Sequence, residues 1–329
     1  MKSLIGIGNA LTDILVVVDD ASILKQYRLP EGSMNWVDAQ TAADIWNQIK
    51  DMKLHIAPGG STANTIKGAA KLGLKTSFVG MVGDDQLGNI FNDAQKACGI
   101  KPQLLKGSQT SGRSMVFVTP PSGERTFANF MGATLELGAR DINESFFKDY
   151  DILHIEGYLV QNHDLVRKVA QVGKKLGKTI SIDLASYNVV ESNYGFLHEI
   201  VENYVDIVFA NEHEAKAFTG KAPREALESI AKICEVAVVK VGAKGSLIKS
   251  GNTVCEVEPV KAHAIDTTGA GDMYAAGFLY GYANGFPLEI CGKTGSIVSS
   301  EVVRILGTDI QEEVWAQIRE TVSGKSPKN

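Results

Sequence analysis

A chain of 329 residues accommodates one large α/β domain with an appendage, and 44% hydrophobic with 22% charged residues is a globular composition, which excludes disorder as its general state. Lys and Arg total 33 against 38 acidic residues, a formal charge of -5 with no basic run longer than a pair, so no nucleic-acid partner is expected. No apolar stretch reaches membrane-spanning length and the N-terminus lacks a basic leader region, so a cytoplasmic protein without a membrane partner is expected.

Short apolar runs alternate with helical patterns, which predicts βα units around a largely parallel sheet. The first strand is expected at Leu4–Ile7. Asn9 and Asp13 follow it in Gly8-Asn9-Ala10-Leu11-Thr12-Asp13, where an open sheet places its ligands. A carboxylate there can accept two hydrogen bonds from the vicinal hydroxyls of a polyol; a plain loop Asp is the bland alternative. Residues 15–37 break the alternation. Next comes Pro58-Gly59-Gly60-Ser61-Thr62-Ala63-Asn64, where Gly59 and Gly60 leave backbone N–H groups open and the Asn64 amide offers donor and acceptor. In the small-residue helix beyond, Gly68, Ala69, Ala70 and Gly73 read as packing residues. A strand at Ser77–Val82 leads into Gly80-Met81-Val82-Gly83-Asp84-Asp85-Gln86-Leu87-Gly88.

The alternation breaks again at 101–131, where SMVFVTP and RTFANF flank PPSGE, a hairpin signal. Segments 15–37 and 101–131 are predicted to form a discontinuous β lid on an α/β core of 1–14, 38–100 and 132–329. Arg125 in the hairpin is either a solvated charge or a phosphate contact on closure. Strands follow at Ile152–Ile155, Thr179–Ile182, Ile207–Ala210 and Val236–Val241, with a helix over Asp164–Leu176 whose Leu165, Val166, Val169, Val172 and Leu176 share one face. Asn188, beyond the second of these strands, is expected within reach of a triphosphate. Asn211 and Glu214 fit a helix capping box or a phosphate-side polar pair. Lys240, Gly242 and Gly245 mark a turn at another strand end. The tail after Ser323 is expected to be disordered.

The strongest signal is Ala264-Ile265-Asp266-Thr267-Thr268-Gly269-Ala270-Gly271-Asp272, followed by an apolar helical run. Glycines let the backbone approach a ligand, and the N–H groups of a first helical turn with the positive dipole end suit a transferring phosphoryl group. Asp272 at that helix start is placed to accept the proton of an attacking hydroxyl. The competing reading is an acid that merely complements the dipole.

Taken together, these motifs resemble the ribokinase-like (PfkB) carbohydrate kinase family: D-T-x-G-A-G-D at 266–272, G-G-x-x-x-N at 59–64, N-x-x-E at 211–214 and K-x-G-x-x-G at 240–245. The resemblance implies a three-layer α/β sandwich around a mainly parallel sheet, with a small β lid, and ATP-dependent transfer of the γ-phosphate to a hydroxyl. It makes Asp272 the base and Gly269, Ala270 and Gly271 the anion hole. Asn9, Asp13, Gly59, Gly60 and Asn64 would hold the acceptor, and Asn188, Asn211, Lys240, Gly242 and Gly245 would meet ATP. Glu214 would organise Mg2+ through water, and backbone carbonyls of Asp266 and Thr268 would hold a monovalent cation such as K+. Relatives of this kind are monomers or homodimers paired through the lid.

The opening Gly-Asn-Ala-Leu-Thr-Asp, the segment Leu29-Pro30-Glu31-Gly32-Ser33-Met34-Asn35 and Gly59-Gly60-Ser61-Thr62-Ala63-Asn64 resemble the adenosine kinase branch. Leu11, Met34, Phe127 and Phe130 would supply the apolar walls of a purine site. Ribose or keto-sugar acceptors stay open, as does a catalytically silent nucleoside-binding protein, which ADP release on adding an acceptor would exclude.

Overall fold

The computed structural model of the protein describes residues 2–119 and 124–324; the expected Pro-Pro-Ser-Gly turn (120–123) and the tail 325–329 lie outside the described residues. In chain order the strands are β1 (Leu4–Ile7), β2 (Leu11–Val17), β3 (Met34–Trp36), β4 (Leu54–Gly59), β5 (Thr76–Val82), β6 (Lys101–Lys106), β7 (Gly112–Thr119), β8 (Glu124–Phe130), β9 (Ile152–Ile155), β10 (Thr179–Asp183), β11 (Ile207–Asn211), β12 (Val236–Lys240), β13 (Ser246–Ser250) and β14 (Thr253–Val257). They form two sheets.

The larger has the order β14-β13-β12-β11-β10-β9-β1-β5-β6, parallel from β12 to β6 and closed at one edge by the antiparallel pair β13 and β14. Its central strands are buried on both faces, which is why they read as unbroken apolar runs. Helices His163–Lys175, Tyr194–Tyr204 and Glu212–Thr219 pack one face through Val166, Val169, Leu197, Ile200 and Phe218. The opposite face is covered by Ser61–Lys71, Ala270–Ala283 and Leu288–Val302. Burying each large aliphatic side chain contributes about 1.5–3 kcal/mol, so these two interfaces hold the sandwich together. β1 pairs with β5 on one side and β9 on the other, so chain order reverses there and a crevice opens at the carboxyl ends of those strands.

The smaller sheet, ordered β3-β8-β7-β2-β4, corrects the expected boundaries of the appendage. It begins at Leu11, it takes β4 from a region assigned to the core, and β6 belongs to the large sheet. β2 alternates: Ile14 and Val16 face the Ala39–Ile49 helix, while Leu11 and Asp13 face the crevice. β4 carries His55 and Pro58, which weaken its strand signal, but it is an edge strand and can spare an N–H.

Candidate active site

The Ala270–Ala283 helix is apolar all round because it lies between the large sheet and its helical neighbours, with Asp272 the acid of its first turn. Gly269 precedes it at φ 72°, and a Cβ there would stand 2.4 Å from Thr308. The Ser61–Lys71 helix crosses close by: a Cβ on Gly68 would lie 2.7 Å from that of Ala276, so only a hydrogen permits the approach. That approach brings polar groups onto the carboxylate. Ser61 Oγ donates to Asp272 Oδ1 at 2.7 Å, Asn64 Nδ2 to Oδ2 at 3.0 Å, and Thr65 Oγ1 to the Asp272 carbonyl at 3.2 Å. Burial pushes the Asp272 carboxyl up to about 6; Ser61 and Asn64 oppose the rise and the Asp183 charge adds to it.

The amide cradle differs in one member from the sequence expectation. The Ala270 N–H is taken by the Thr267 carbonyl at 3.2 Å, because residues 267–270 close a tight turn before the helix starts. Among the described residues, the amides of Gly269, Gly271 and Asp272 have no acceptor. Lys240 Nζ lies 3.0 Å from where a Cβ on Gly271 would sit, so an ammonium stands against the cradle. It donates to Asp183 Oδ2 at 2.8 Å, and this buried pair keeps Lys240 charged against its desolvation.

At the carboxyl ends of β1 and β9, Asn9 Nδ2 donates to Glu156 Oε1 at 2.5 Å, and Thr62 N donates to Glu156 Oε2 at 3.1 Å. Burial pushes Glu156 up to about 7. Asp13, on β2, is likewise raised to about 7 by burial, with Lys67 opposing and Asp272 adding. A Cβ on Gly59 would come within 2.4 Å of the Asp13 carboxylate, and Gly60, at φ 95°, would collide with the Asn9 carbonyl. Gly60 therefore admits only glycine, while a side chain at Gly59 would displace the Asp13 carboxylate. Asn64 is held between Asp272 and Thr308, so it touches the Asp272 carboxylate directly.

On the other side, Asn211 caps the Glu212–Thr219 helix and Glu214 bonds back to it at 2.5 and 2.7 Å, a complete capping box whose members also line the cleft. Burial, then Asp183, push Glu214 up to about 7. Gly242 and Gly245 both take positive φ in a short turn, and a Cβ on Gly245 would meet the Val257 carbonyl at 1.9 Å. Ser296 and Ser300 of the Leu288–Val302 helix form a further wall.

These groups surround one cleft of about 2010 Å³, lined by both sheets. Asn188 does not join them: it lies exposed in the Tyr187–Ser192 helix, turned away by the bend that follows β10. Asp266 is also outside the lining; its carboxylate accepts from Arg125 Nη1 at 2.6 Å, Thr268 Oγ1 at 2.7 Å and Gly307 N at 2.8 Å. Thr268 does line the cleft. The Gly83 to Gly88 motif is structural: Asp85 caps the Gln86–Ala97 helix and receives Ser111, where Gly83 lets the chain pass. Ser61, Glu156 and Asp183 are candidate-site residues that reading the sequence missed. The rule that selected Asn9, a polar residue at the carboxyl end of a parallel strand, also points to Glu156 and Asp183.

Buried carboxylates beside a cradle of open amides, in a cleft large enough for two ligands, define a phosphotransferase site. Residues 32–314 match the pfkB family carbohydrate kinase model. The chain is similar to an adenosine kinase from Sinorhizobium meliloti, 34% identical with a TM-score of 0.84, covering 97% of this chain and 99% of that one. A probable sugar kinase from Rhizobium etli is 32% identical, with a TM-score of 0.85 and coverage of 97% and 98%. A 5-dehydro-2-deoxygluconokinase from Bacillus licheniformis is 28% identical over 82% of this chain and 87% of its own length.

The chain belongs to the pfkB family of carbohydrate kinases: it is a phosphotransferase of ribokinase-like fold that acts on a small sugar or nucleoside, and its family implies the use of ATP. Among the described residues no helix is long and apolar enough to cross a membrane.

Proposed function

We propose that the acceptor is a nucleoside of the adenosine type, phosphorylated on its primary hydroxyl with Asp272 as base. The observation that carries this reading is the wall of the cleft. Met34 and Trp36 of β3 and Leu135 beside them in the lining are each 63% exposed, and Phe127 stands next to Met34 across the β3–β8 pair. Large apolar side chains left open on a cleft wall call for a flat apolar ligand to cover them, and a purine does so where a bare sugar cannot. Asp13 then takes the ribose hydroxyls.

In the reaction the acceptor O–H gives its proton to Asp272, its oxygen bonds to the γ-phosphorus, and the bond to the bridging oxygen breaks, leaving ADP with the electron pair. Gly269, Gly271 and Asp272 amides face the charge on the transferring group, and Lys240 adds an ammonium beside them. Asp13, Glu156, Glu214 and Asp272 line the cleft with carboxyls that a cation suits, while among the described residues no cluster of three or more His, Cys, Asp or Glu forms a protein cage. That pattern fits Mg2+, which Glu214 would hold through water. When bound, Mg2+ neutralises charge on the phosphate oxygens. The small sheet serves as lid and keeps water from the transferring group.

The deciding experiment is ADP release with a panel of nucleosides and sugars. Turnover highest with adenosine is expected; a sugar turned over far better than any nucleoside would overturn the acceptor assignment. Replacing K+ by a tetraalkylammonium ion in the same assay tests a cation at the carbonyls of Asp266 and Thr268.

A further inference from the structure

Lys67 is a lysine where the packing asks for none. It sits on the buried side of the Ser61–Lys71 helix and is 7% exposed. Its nearest opposite charge, Asp309 Oδ1 at 3.9 Å, is itself well exposed, so the pair does not account for a buried ammonium. Burial lowers the Lys67 pKa, which Asp309, Cys98 and Asp13 oppose and Lys71 reinforces.

What Lys67 does reach is a chain of hydrogen bonds that ends on the base. Its Nζ donates to Thr308 Oγ1 at 3.3 Å, Thr308 Oγ1 donates to Asn64 Oδ1 at 3.1 Å, and Asn64 Nδ2 donates to Asp272 Oδ2 at 3.0 Å. An ammonium can only donate, so the Thr308 oxygen must accept from it and its single hydrogen goes to Asn64. With its carbonyl claimed, the Asn64 amide has one orientation left, N–H toward Asp272. The flipped amide would set an acceptor oxygen against a carboxylate.

We propose that Lys67 is a positioning residue for catalysis, acting through Thr308 and Asn64 to keep an N–H donor on Asp272. It rests on the kinase reading above. The groups facing Asp272 from other elements are Asp13, Glu156, Tyr158, Asp183, Glu214 and Lys240. None of them lies on the relay, but the Lys67 charge also acts on Asp13, so Lys67→Met reaches Asp13 as well as the relay, whereas Thr308→Val keeps that charge in place.

The test uses the full chain with ATP, Mg2+ and the acceptor that the wild type turns over. Lys67→Met and Thr308→Val should each lower kcat about tenfold, as expected for a mis-set base, with acceptor KM unchanged in Thr308→Val, which leaves the Lys67 charge beside Asp13. The acid limb of the kcat profile should move to higher pH, because a carboxylate that loses a donor is harder to ionise. Thr308→Ser, which keeps the hydroxyl, should retain both the rate and the limb. In an Asn64→Leu background, Thr308→Val should have no further effect. Wild-type kcat with an unmoved limb in both variants would overturn the relay, as would an additional loss in the Asn64→Leu background. If Lys67→Met does not fold, Thr308→Val decides alone, since it leaves the Lys67–Asp309 pair intact. A wild type that releases no ADP with any nucleoside or sugar overturns the kinase reading instead, and the relay falls with it.

Discussion

Asp13, Glu156 and Glu214 are each pushed up to about 7 and Asp272 to about 6, in every case chiefly by burial. A carboxyl raised on folding binds its proton more tightly in the native state, so the stability it contributes is present at low pH and lost as pH rises through its folded value. In the ligand-free protein these four carboxyls should therefore lower Tm between about pH 4 and about pH 7. Asp13→Asn should narrow that loss by raising Tm at the alkaline end, measured calorimetrically; an unchanged Tm there would contradict a strained Asp13 charge. The same variant should bind the acceptor worse, and Asp13→Ala should act mainly on acceptor KM. For Asp272→Asn, kcat should fall by about 10²–10⁴, the usual loss of a general base, with acceptor affinity kept. Wild-type kcat should decline as pH falls through about 6, where the base takes up its proton.

Residue by residue, the sequence pointed to Asp272, Asp13 and Asn9 because each stands in a motif or just past a strand. Glu156 and Asp183 stand in equally informative places but in no memorable motif. Asn188 failed for the opposite reason: distance from a strand end in sequence does not give the direction in which the next helix turns.

Among elements, the crossing of Ser61–Lys71 over Ala270–Ala283 sets the site. Reading Gly68 as a packing residue was sound, and the structure gives packing a functional outcome: the clearance at Gly68 is what seats Ser61 and Asn64 on Asp272. Gly73 is different, with φ 102° and open space around it, so it ends the helix instead of packing. Gly68→Val should cost about 1–3 kcal/mol by overpacking and should also lower kcat, read by denaturant melts and steady-state kinetics. A destabilised variant with full kcat would separate the crossing from the chemistry. Strands of the large sheet were legible because a short unbroken apolar run between polar turns suits a strand covered on both faces. β2 and β4 were not, since one is an alternating strand that continues almost directly from β1 and the other carries Pro58 at a sheet edge.

At the scale of the molecule, Arg125 on β8 reaches across to Asp266, and this pair is only 14% and 10% exposed. It ties the small sheet to the loop that presents the amide cradle. Arg125→Ala should lower phosphoryl transfer about tenfold while raising the share of ATP hydrolysed without an acceptor, because a loosened cover misplaces the reactants and admits water. An unchanged ratio of hydrolysis to transfer would show that the tie does not govern closure.

On the proposed reading, the two sheets also divide the labour on the acceptor. Asp13 is rooted in β2 of the small sheet, whereas Asp272 is rooted in a helix packed on the large one, and the chain passes between the sheets at Gly8-Asn9-Ala10 and Gly59-Gly60. The protein thus resembles a pair of jaws in which one jaw grips the workpiece and the other carries the tool. A tilt of one against the other would change the span from grip to tool while leaving every contact inside each jaw intact, so the residues at the pivot would set the stroke of the enzyme.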